Sequence, residues 1–184
     1  MLNIIIRNAE RLRQLAENIL DVTRIESQTF HLSKEFFSLD EVITRIITDC
    51  GEEIKINGTD VELSLVPPSN ETFVEADKSR IAQVVTNLLT NAVRFTKSGN
   101  VSIVVTKGKA NEIVVSIRDT GPGIDPEIIP RLFTKFATKS MTGTGLGLFI
   151  SRSIIVAHGG RIWAENNLDG RGAIFTFTLP VKVS

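Results

Sequence analysis

Apolar residues recur at helical spacing from the start of the chain. Leu2, Ile5, Ala9, Leu12, Ala16, Ile19 and Thr23 fall on one stripe, widened by Leu15 and Val22. Arg7, Glu10, Gln14 and Asp21 lie on the far side. The pattern predicts one long helix over residues 2–29. Such a helix is too long to cap a small domain, and its stripe calls for a partner in a bundle or coiled coil. The alternative is a helix folded back on its own domain. Asn8, at a seam position, fits register setting. Residues 30–37 then read as a short strand. Ser38-Leu-Asp-Glu41 reads as a capping box, in which the Ser38 hydroxyl and the Glu41 side chain satisfy two orphan amides. The helix behind it would bury Leu39, Val42, Ile43, Ile46, Ile47 and Cys50, with Gly58 just beyond its end. Residues 61–66 alternate as a half-buried strand stopped by Pro67-Pro68, and residues 72–75 make another short strand.

A second domain helix is predicted over residues 77–95, with Ile81, Val84, Val85, Leu88, Ala92 and Phe95 as its apolar stripe. Asn87, Asn91 and Arg94 stand at i, i+4 and i+7 and line one flank of that stripe. They read equally as ordinary surface residues. Asparagine is a mediocre helix former, however, and such local inconsistency often marks function. Residues 101–107 and 113–118 make an antiparallel pair around Lys107-Gly-Lys-Ala-Asn111. Residues 146–157 form a helix that is apolar on most sides, hence buried. His158-Gly159-Gly160 ends it with a glycine for the left-handed cap. Residues 161–165 and 173–179 close the chain as strands. The order implies an α/β (α+β) two-layer sandwich. It has one mixed sheet with about three helices on one face, preceded by the long N-terminal helix.

At 184 residues the chain can bury one domain plus an appendage. Its 21 basic and 21 acidic residues balance, which gives no global electrostatic case for nucleic acid or anionic membrane. The single cysteine, Cys50, excludes an internal disulfide, fits a reducing compartment and falls on a helix stripe, where it reads as core. No apolar run reaches the ~18 residues of a membrane span. Arg7 and Glu10 within a periodic pattern argue against a signal peptide.

The candidate chemistry centres on Asp119-Thr120-Gly121-Pro122-Gly123, delivered by the strand-like run Asn111-Glu-Ile-Val-Val-Ser-Ile-Arg118. An ionised carboxylate only accepts hydrogen bonds. It suits the exocyclic amine of adenine and would repel the carbonyl that guanine presents there. The glycines allow close backbone approach and positive φ. The competing reading is an Asp-Thr-Gly turn after a strand. A second glycine cluster, Gly143-Thr-Gly-Leu-Gly147, opens the helix at 146, and Arg131-Leu-Phe-Thr-Lys-Phe136 lies between the two. The P-loop pattern is absent, position 148 is Leu where a dinucleotide fingerprint needs Gly, and the protein-kinase catalytic loop is missing.

Four motifs in fixed order resemble the ATP-binding catalytic domain of sensor histidine kinases, a Bergerat-type fold shared with gyrase, heat-shock chaperone and mismatch-repair ATPases. They are Asn87-Leu-Leu-Thr-Asn91-Ala-Val-Arg-Phe-Thr96, Asp119-Thr-Gly-Pro-Gly-Ile-Asp125, Leu132-Phe-Thr-Lys-Phe136 and Gly143-Thr-Gly-Leu-Gly-Leu148. Gly170-Arg-Gly172 with Phe175-Thr-Phe177 and Leu179-Pro180 looks like the family's last hairpin. The resemblance covers residues 30–180 and implies ATP and Mg²⁺ as cofactors. Asp119, with Gly121 and Gly123, would hold adenine, and Asn91 would be the metal ligand. Asn87 and Arg94 would support metal and phosphates. Gly143, Thr144, Gly145, Leu146 and Gly147 would hinge a short flap over the nucleotide, and Lys139 within the flap would contact phosphate. The start of the helix at Leu146 would aim free amides at phosphate.

No phosphoacceptor pair of His followed by an acidic residue is present, since Leu32 follows His31 and Gly159 follows His158. Residues 1–29 instead resemble part of the family's dimerisation and phosphoacceptor hairpin, and residues 30–184 the catalytic domain. The resemblance thus implies several partners and a location. They are the acceptor-histidine hairpin of the same kinase, a response regulator, a homodimer through residues 2–29, and a cytoplasmic site of action. The isolated chain would bind ATP without phosphorylating itself. One alternative is a conformational ATPase of the gyrase or chaperone class. Those carry a glutamate base four residues before the metal-binding asparagine, where this chain has Asn87. The other is a nucleotide sensor without transfer activity.

Overall fold

The computed structural model describes residues 2–57, 60–66, 70–109, 111–137, 144–168 and 170–181. Along the chain run α1 (Leu2–Glu26), β1 (Glu35–Ser38), α2 (Leu39–Asn57), β2 (Asp60–Val66), β3 (Phe73–Ala76), α3 (Lys78–Phe95), β4 (Ser98–Lys107) and β5 (Glu112–Asp119). A short 3-10 turn (Ile129–Arg131), α4 (Gly147–Ala157), β6 (Ile162–Asn166) and β7 (Ala173–Pro180) complete it. Gly58 and Pro67-Pro68, expected to end α2 and β2, lie outside the described residues.

The main sheet has the order β2-β4-β5-β7-β6. β2 pairs with β4 in parallel and the other neighbours are antiparallel, so the sheet is mixed as expected. α2 packs on β2, α3 on β4 and β5, and α4 on β6 and β7. Strand alternation supplies the core beneath them. Val101, Ile103 and Val105 of β4 and Ile113, Val115 and Ile117 of β5 are at most 3% exposed. Phe177 and Leu179 of β7 complete that face. α3 answers with Ile81, Val84, Val85, Leu88, Leu89 and Ala92, and α4 with Ile150, Ile154 and Ile155.

The strands do not all join one sheet. β1 and β3 form a separate two-stranded ribbon. Joining β2 to its parallel neighbour β4 requires a crossover, and that crossover contains β3 as well as α3. β3 is thereby carried off the sheet and pairs with β1, where Phe36 stacks on Phe73 at 5.2 Å. Ser38 caps α2 by accepting from the Glu41 amide at 3.3 Å, one half of the expected capping box.

α1 ends earlier than predicted. Gln28 takes φ of 57°, and the Thr29 amide reaches back to the Arg24 carbonyl at 3.0 Å while Gln28 bonds Ile25 at 3.2 Å. These are the two bonds of a Schellman turn, formed here without glycine. α1 also docks by a face that the pattern had assigned to solvent. Asp21 is 4% exposed, and Arg80 Nη1 of α3 donates to both its oxygens, at 2.8 and 2.9 Å. Gln83 Nε2 adds a bond of 2.8 Å, and the Arg80 guanidinium lies 5.0 Å over the Phe30 ring. Leu12 and Ile19 of the apolar stripe stay 67% and 52% exposed. At Leu12 and Ile19 the stripe is therefore unspent on this domain, while Val22 at its border packs on the core.

The far end of α4 is pinned to the start of α3. His158 is 4% exposed. Its Nε2 accepts from the Asp77 amide at 2.9 Å, and its Nδ1 lies 2.8 Å from the Ile154 carbonyl. Those partners require the neutral ring with the proton on Nδ1. Asp77 in turn caps α3, accepting from the Arg80 amide at 3.1 Å, the Ser79 hydroxyl at 2.8 Å and the Ser33 amide at 2.9 Å. Burial, helped by the charge of Lys34, pushes the His158 pKa down, against the Ile154 bond and the charge of Asp77. Burial alone would raise Asp77, but its three hydrogen bonds and the Arg80 charge bring its net pKa down.

A histidine whose folded pKa is depressed binds its proton more readily when unfolded, so its contribution is complete above the unfolded pKa of about 6.5 and is lost as pH falls below it. The urea midpoint is therefore expected to drop between pH 7.5 and 5.5. His158→Gln should start lower and show a shallower slope across that window. An unchanged slope in the variant would remove His158 from the acid sensitivity.

Candidate functional site

Asp119 continues the column Ile113, Val115, Ile117 at a spacing of two, so β5 delivers its carboxylate to the helix-covered face. It is 4% exposed and borders a cavity of about 1150 Å³ between the sheet end, α3, α4 and α1. Asp119 Oδ1 accepts from the Gly121 amide at 2.9 Å and the Ala173 amide at 3.3 Å. No described residue donates to Oδ2 within hydrogen-bond distance. Burial raises the Asp119 pKa, and the two amide bonds oppose that rise only in part. A desolvated carboxylate with one oxygen held by backbone and one oxygen unengaged is an acceptor prepared for a donor from outside the chain. The plain turn that the motif could also have been would leave this side chain in solvent.

The glycines around it answer to close approaches. A Cβ on Gly121 would stand 2.9 Å from the Phe95 carbonyl oxygen. Gly123 has φ of 80°, and a Cβ there would meet Asn166 Oδ1 at 2.8 Å.

The α3 flank faces the same cavity. Asn87 Nδ2 donates to Ser151 Oγ of α4 at 2.9 Å. Asn91 Nδ2 reaches Asn87 Oδ1 at 3.5 Å, and Arg94 Nη2 donates to Asn91 Oδ1 at 3.0 Å. The three expected residues thus form one polar ladder along the cavity wall, ending on Ser151. Ser151 was not singled out from the sequence. Its signal was faint: one of two serines in α4, four residues after Gly147 and on the face toward α3. Phe95, expected in the apolar stripe of α3, is 48% exposed and carries the Arg94 guanidinium 4.7 Å over its ring. The helix ends there, and Leu89 at 1% exposure takes a core place that the stripe had left out.

In the phenylalanine motif Leu132 is buried and Phe133 packs on the core, while Phe136 is 71% exposed at φ of 60°. Lys135 lies 5.2 Å over the Phe149 ring and pairs with Glu26 of α1. Lys139 and Gly143 lie outside the described residues. Thr144 Oγ1 accepts from the Leu146 amide at 3.3 Å. Gly145, at φ of 66°, accepts the Phe136 amide on its carbonyl at 3.0 Å, and a Cβ on it would lie 2.7 Å from Phe136 backbone. Leu146 is buried and precedes α4, whose first turn has no side-chain cap. Gly147 answers to packing as well as to any hinge role. A Cβ there would stand 2.3 Å from Asn87 Oδ1.

Residues 76–183 match the family described as histidine kinase-, DNA gyrase B-, and HSP90-like ATPase. The chain belongs to this family. Its curated relatives are sensor histidine kinases, which are protein-histidine kinases and hence transferases. It is 34% identical to the sensor protein KdpD of Clostridium acetobutylicum, over the whole of this chain and 20% of that protein. With the sensor histidine kinase WalK of Bacillus subtilis it shares 30% identity over 94% of this chain and 29% of the relative. The chain therefore spans only a fifth to a third of these relatives. Among solved structures it is similar to full-length ShkA in complex with AMPPNP, at TM-score 0.85 and 26% identity over 97% of this chain and 37% of that one. It is also similar to histidine kinase ThkA in complex with response regulator protein TrrA, at TM-score 0.76 and 30% identity over 98% of this chain and 50% of that one. No helix among the described residues is long and apolar enough to cross a membrane.

The Gly147–Asn87 contact gives a direct check. Gly147→Ala forces Asn87 off Ser151 and is expected to lower stability by about 1–3 kcal/mol, as overpacking does. In an Asn87→Ala background the same change should cost little, and a double-mutant cycle of thermal midpoints reads the difference. Equal costs in the two backgrounds would mean that Gly147 is required for another reason.

Proposed function

We propose that the chain is the ATP-binding, phosphoryl-donating part of a histidine kinase, and that it presents the γ-phosphate of ATP to a histidine carried by another segment. The observation that supports this most is Asp119, a buried carboxylate with one unengaged oxygen at the end of a cavity. Asp119 would take the adenine amine, with Gly121 and Gly123 letting the base lie close to the backbone. Asn87, Asn91 and Arg94 would face the phosphates, and Thr144, Gly145, Leu146 and Gly147 would border them beside the uncapped start of α4. Lys139 and Gly143 belong to the same proposed site.

The residues on the phosphate side fit Mg²⁺. It is a hard cation that takes oxygen ligands and fills most of its sphere with phosphates and water. Asn91 Oδ1 is a carbonyl oxygen with two lone pairs, of which Arg94 occupies one. Among the described residues no group of three carboxylate, imidazole or thiol side chains gathers, so the phosphates would supply most ligands. Mg²⁺ bound there would neutralise phosphate charge. The chain's own part is to hold and orient the nucleotide, which is most of what phosphoryl transfer needs from a protein.

A second reading, an ATPase of the gyrase or chaperone kind, is disfavoured by Asn87. Its amide cannot take a proton from water, and it is already spent on Ser151. General-base help is worth about 10²–10⁴-fold, so water attack would be slow. His158 is an unsuitable acceptor, because both ring nitrogens are engaged inside the fold. Residues 1–29, with their exposed stripe, fit part of a dimerisation hairpin, and residues 30–184 the catalytic domain. A response regulator would be the downstream partner, a reading supported by the similarity to ThkA in complex with response regulator protein TrrA, and the site of action would be cytoplasmic.

Asp119→Asn is expected to weaken ATP binding by about 1.5–3 kcal/mol, the value of a bond to a charged group, read by calorimetry against ADP and GTP. Thermal stability should not fall with it. A raised carboxylate pKa means that the ionised side chain costs folding energy at neutral pH, and the neutral amide removes that cost. Unchanged ATP affinity would reject the site. Asn91→Ala should abolish most of the gain in affinity that Mg²⁺ gives, and a full gain in the variant would put the metal elsewhere. Incubated with γ-labelled ATP, the chain should stay unlabelled and release phosphate slowly. An added helical hairpin bearing the acceptor histidine should take acid-labile label. Stable label on His31 or His158 would overturn the donor reading.

A further inference from the structure

Asp119 can read a base only if its loop holds still, and the residues that hold the loop are not in any of the motifs above. Asn166 ends β6 and Asn167 begins the turn toward β7. Asn167 is 4% exposed, and its Nδ2 donates to the Asp119 carbonyl at 2.8 Å and to the Arg171 carbonyl at 2.5 Å. Its own amide bonds Gly172 at 3.0 Å. Asn166 faces the other end of the same loop. Its Oδ1 accepts from the Ile124 amide at 2.6 Å and its Nδ2 donates to the Ile124 carbonyl at 2.8 Å, the geometry of a backbone pair made by a side chain.

Two glycines make room for this clamp. Gly172, at φ of 80°, lies so close that a Cβ would stand 1.9 Å from the Asp119 carbonyl oxygen. Gly123 would meet Asn166 Oδ1. One residue past Gly172, the Ala173 amide bonds the Asp119 side chain itself. Asn167 Oδ1, meanwhile, is buried without a partner. An unpaired buried acceptor is costly, and a side chain needed only to fill space would not keep one.

We propose that Asn166 and Asn167 are the positioning residues of the adenine site. They fix the two ends of the Asp119–Ile124 loop so that Asp119 Oδ2 stands where the exocyclic amine arrives. They touch the loop and not the nucleotide, so their effect is on base selectivity. The inference rests on the adenine reading of Asp119 given above.

The test compares ATP with purine riboside triphosphate, which lacks only the amine, by calorimetry on the whole chain. The wild type should prefer ATP by at least about tenfold, the worth of one bond to a charged acceptor. Asn167→Asp keeps the size and loses both donated bonds. It should bring that preference down to about twofold or less, while binding of the amine-free nucleotide changes little. Asn166→Asp, which keeps the acceptor for Ile124 and loses the donor, should fall between wild type and Asn166→Ala. Leu168→Ala, in the same turn and fully exposed, is the control and should match the wild type. A merely destabilised fold would weaken both nucleotides together and leave their ratio intact. An unchanged ratio in folded Asn167 and Asn166 variants therefore overturns the inference and leaves the Asp119 site standing. A wild type that holds both nucleotides equally overturns the adenine reading and this inference with it. Should the Asn167 variant not fold, the Asn166 series decides by the same ratio.

Discussion

A charge forced onto the wrong side of a sheet organises this molecule. Along β5 every second side chain enters the core, and the last of them is a carboxylate. Burial of an ionised group is tolerable only with hydrogen bonds, and here they come from backbone amides at Gly121 and Ala173. Much of the neighbouring structure follows from bringing those amides within reach. The loop after β5 must double back at Gly121. The β6–β7 turn must press on it closely enough that Gly172 can carry no side chain. The carboxylate is left half satisfied, which is a poor arrangement for stability and a good one for recognition.

Around that point the architecture divides its labour. The sheet and the inner faces of α2, α3 and α4 form an apolar core that tolerates little change. This side of the cavity wall is a relay of polar side chains, Arg94 to Asn91 to Asn87 to Ser151. At the opposite end of α4, His158 and Asp77 close the helix layer with a second buried polar contact. The two helices are thus tied at two points, the start of α3 to the end of α4 and the middle of α3 to the first half of α4, and a shift of one would have to break bonds at the cavity and at the cap.

The strand-like run into Asp119, the period-3.6 stripes of α2 and α3 and the apolar run of α4 were legible in the sequence, because each is a local pattern. The four motifs were legible as residues, and the cavity wall draws on each of them, through Asn87, Asn91 and Arg94, through Asp119 and Gly123, through Leu132, and through Thr144, Gly145 and Gly147. What escaped was non-local. The clamp of Asn166 and Asn167 works on main-chain groups of residues 119 and 124, and asparagine after a strand looks like any turn. The left-handed Gln28 ended α1 without the glycine that usually announces such a stop. β3 looked like a sheet strand and became part of a crossover, since pairing partners are set by topology. Asp21 lay on the far side from the apolar stripe, yet it is the residue that Arg80 and Gln83 of the domain hold.

The Asp21–Arg80 pair also governs which changes of sequence this joint can absorb. Removing one member of a buried ion pair strands the other and costs roughly 3–5 kcal/mol, whereas exchanging both for apolar residues is often neutral. Positions 21, 80 and 83 can therefore drift only together, although 59 residues separate the first two. Loss of the whole helix is a milder event by the same reasoning. With α1 gone, Arg80 would meet water, a far better partner than a helix face from which only the carboxylate had been deleted. At Arg80, losing all of α1 thus costs less than losing its one carboxylate, while the cost of uncovering the core falls where Val22 and Ile25 pack.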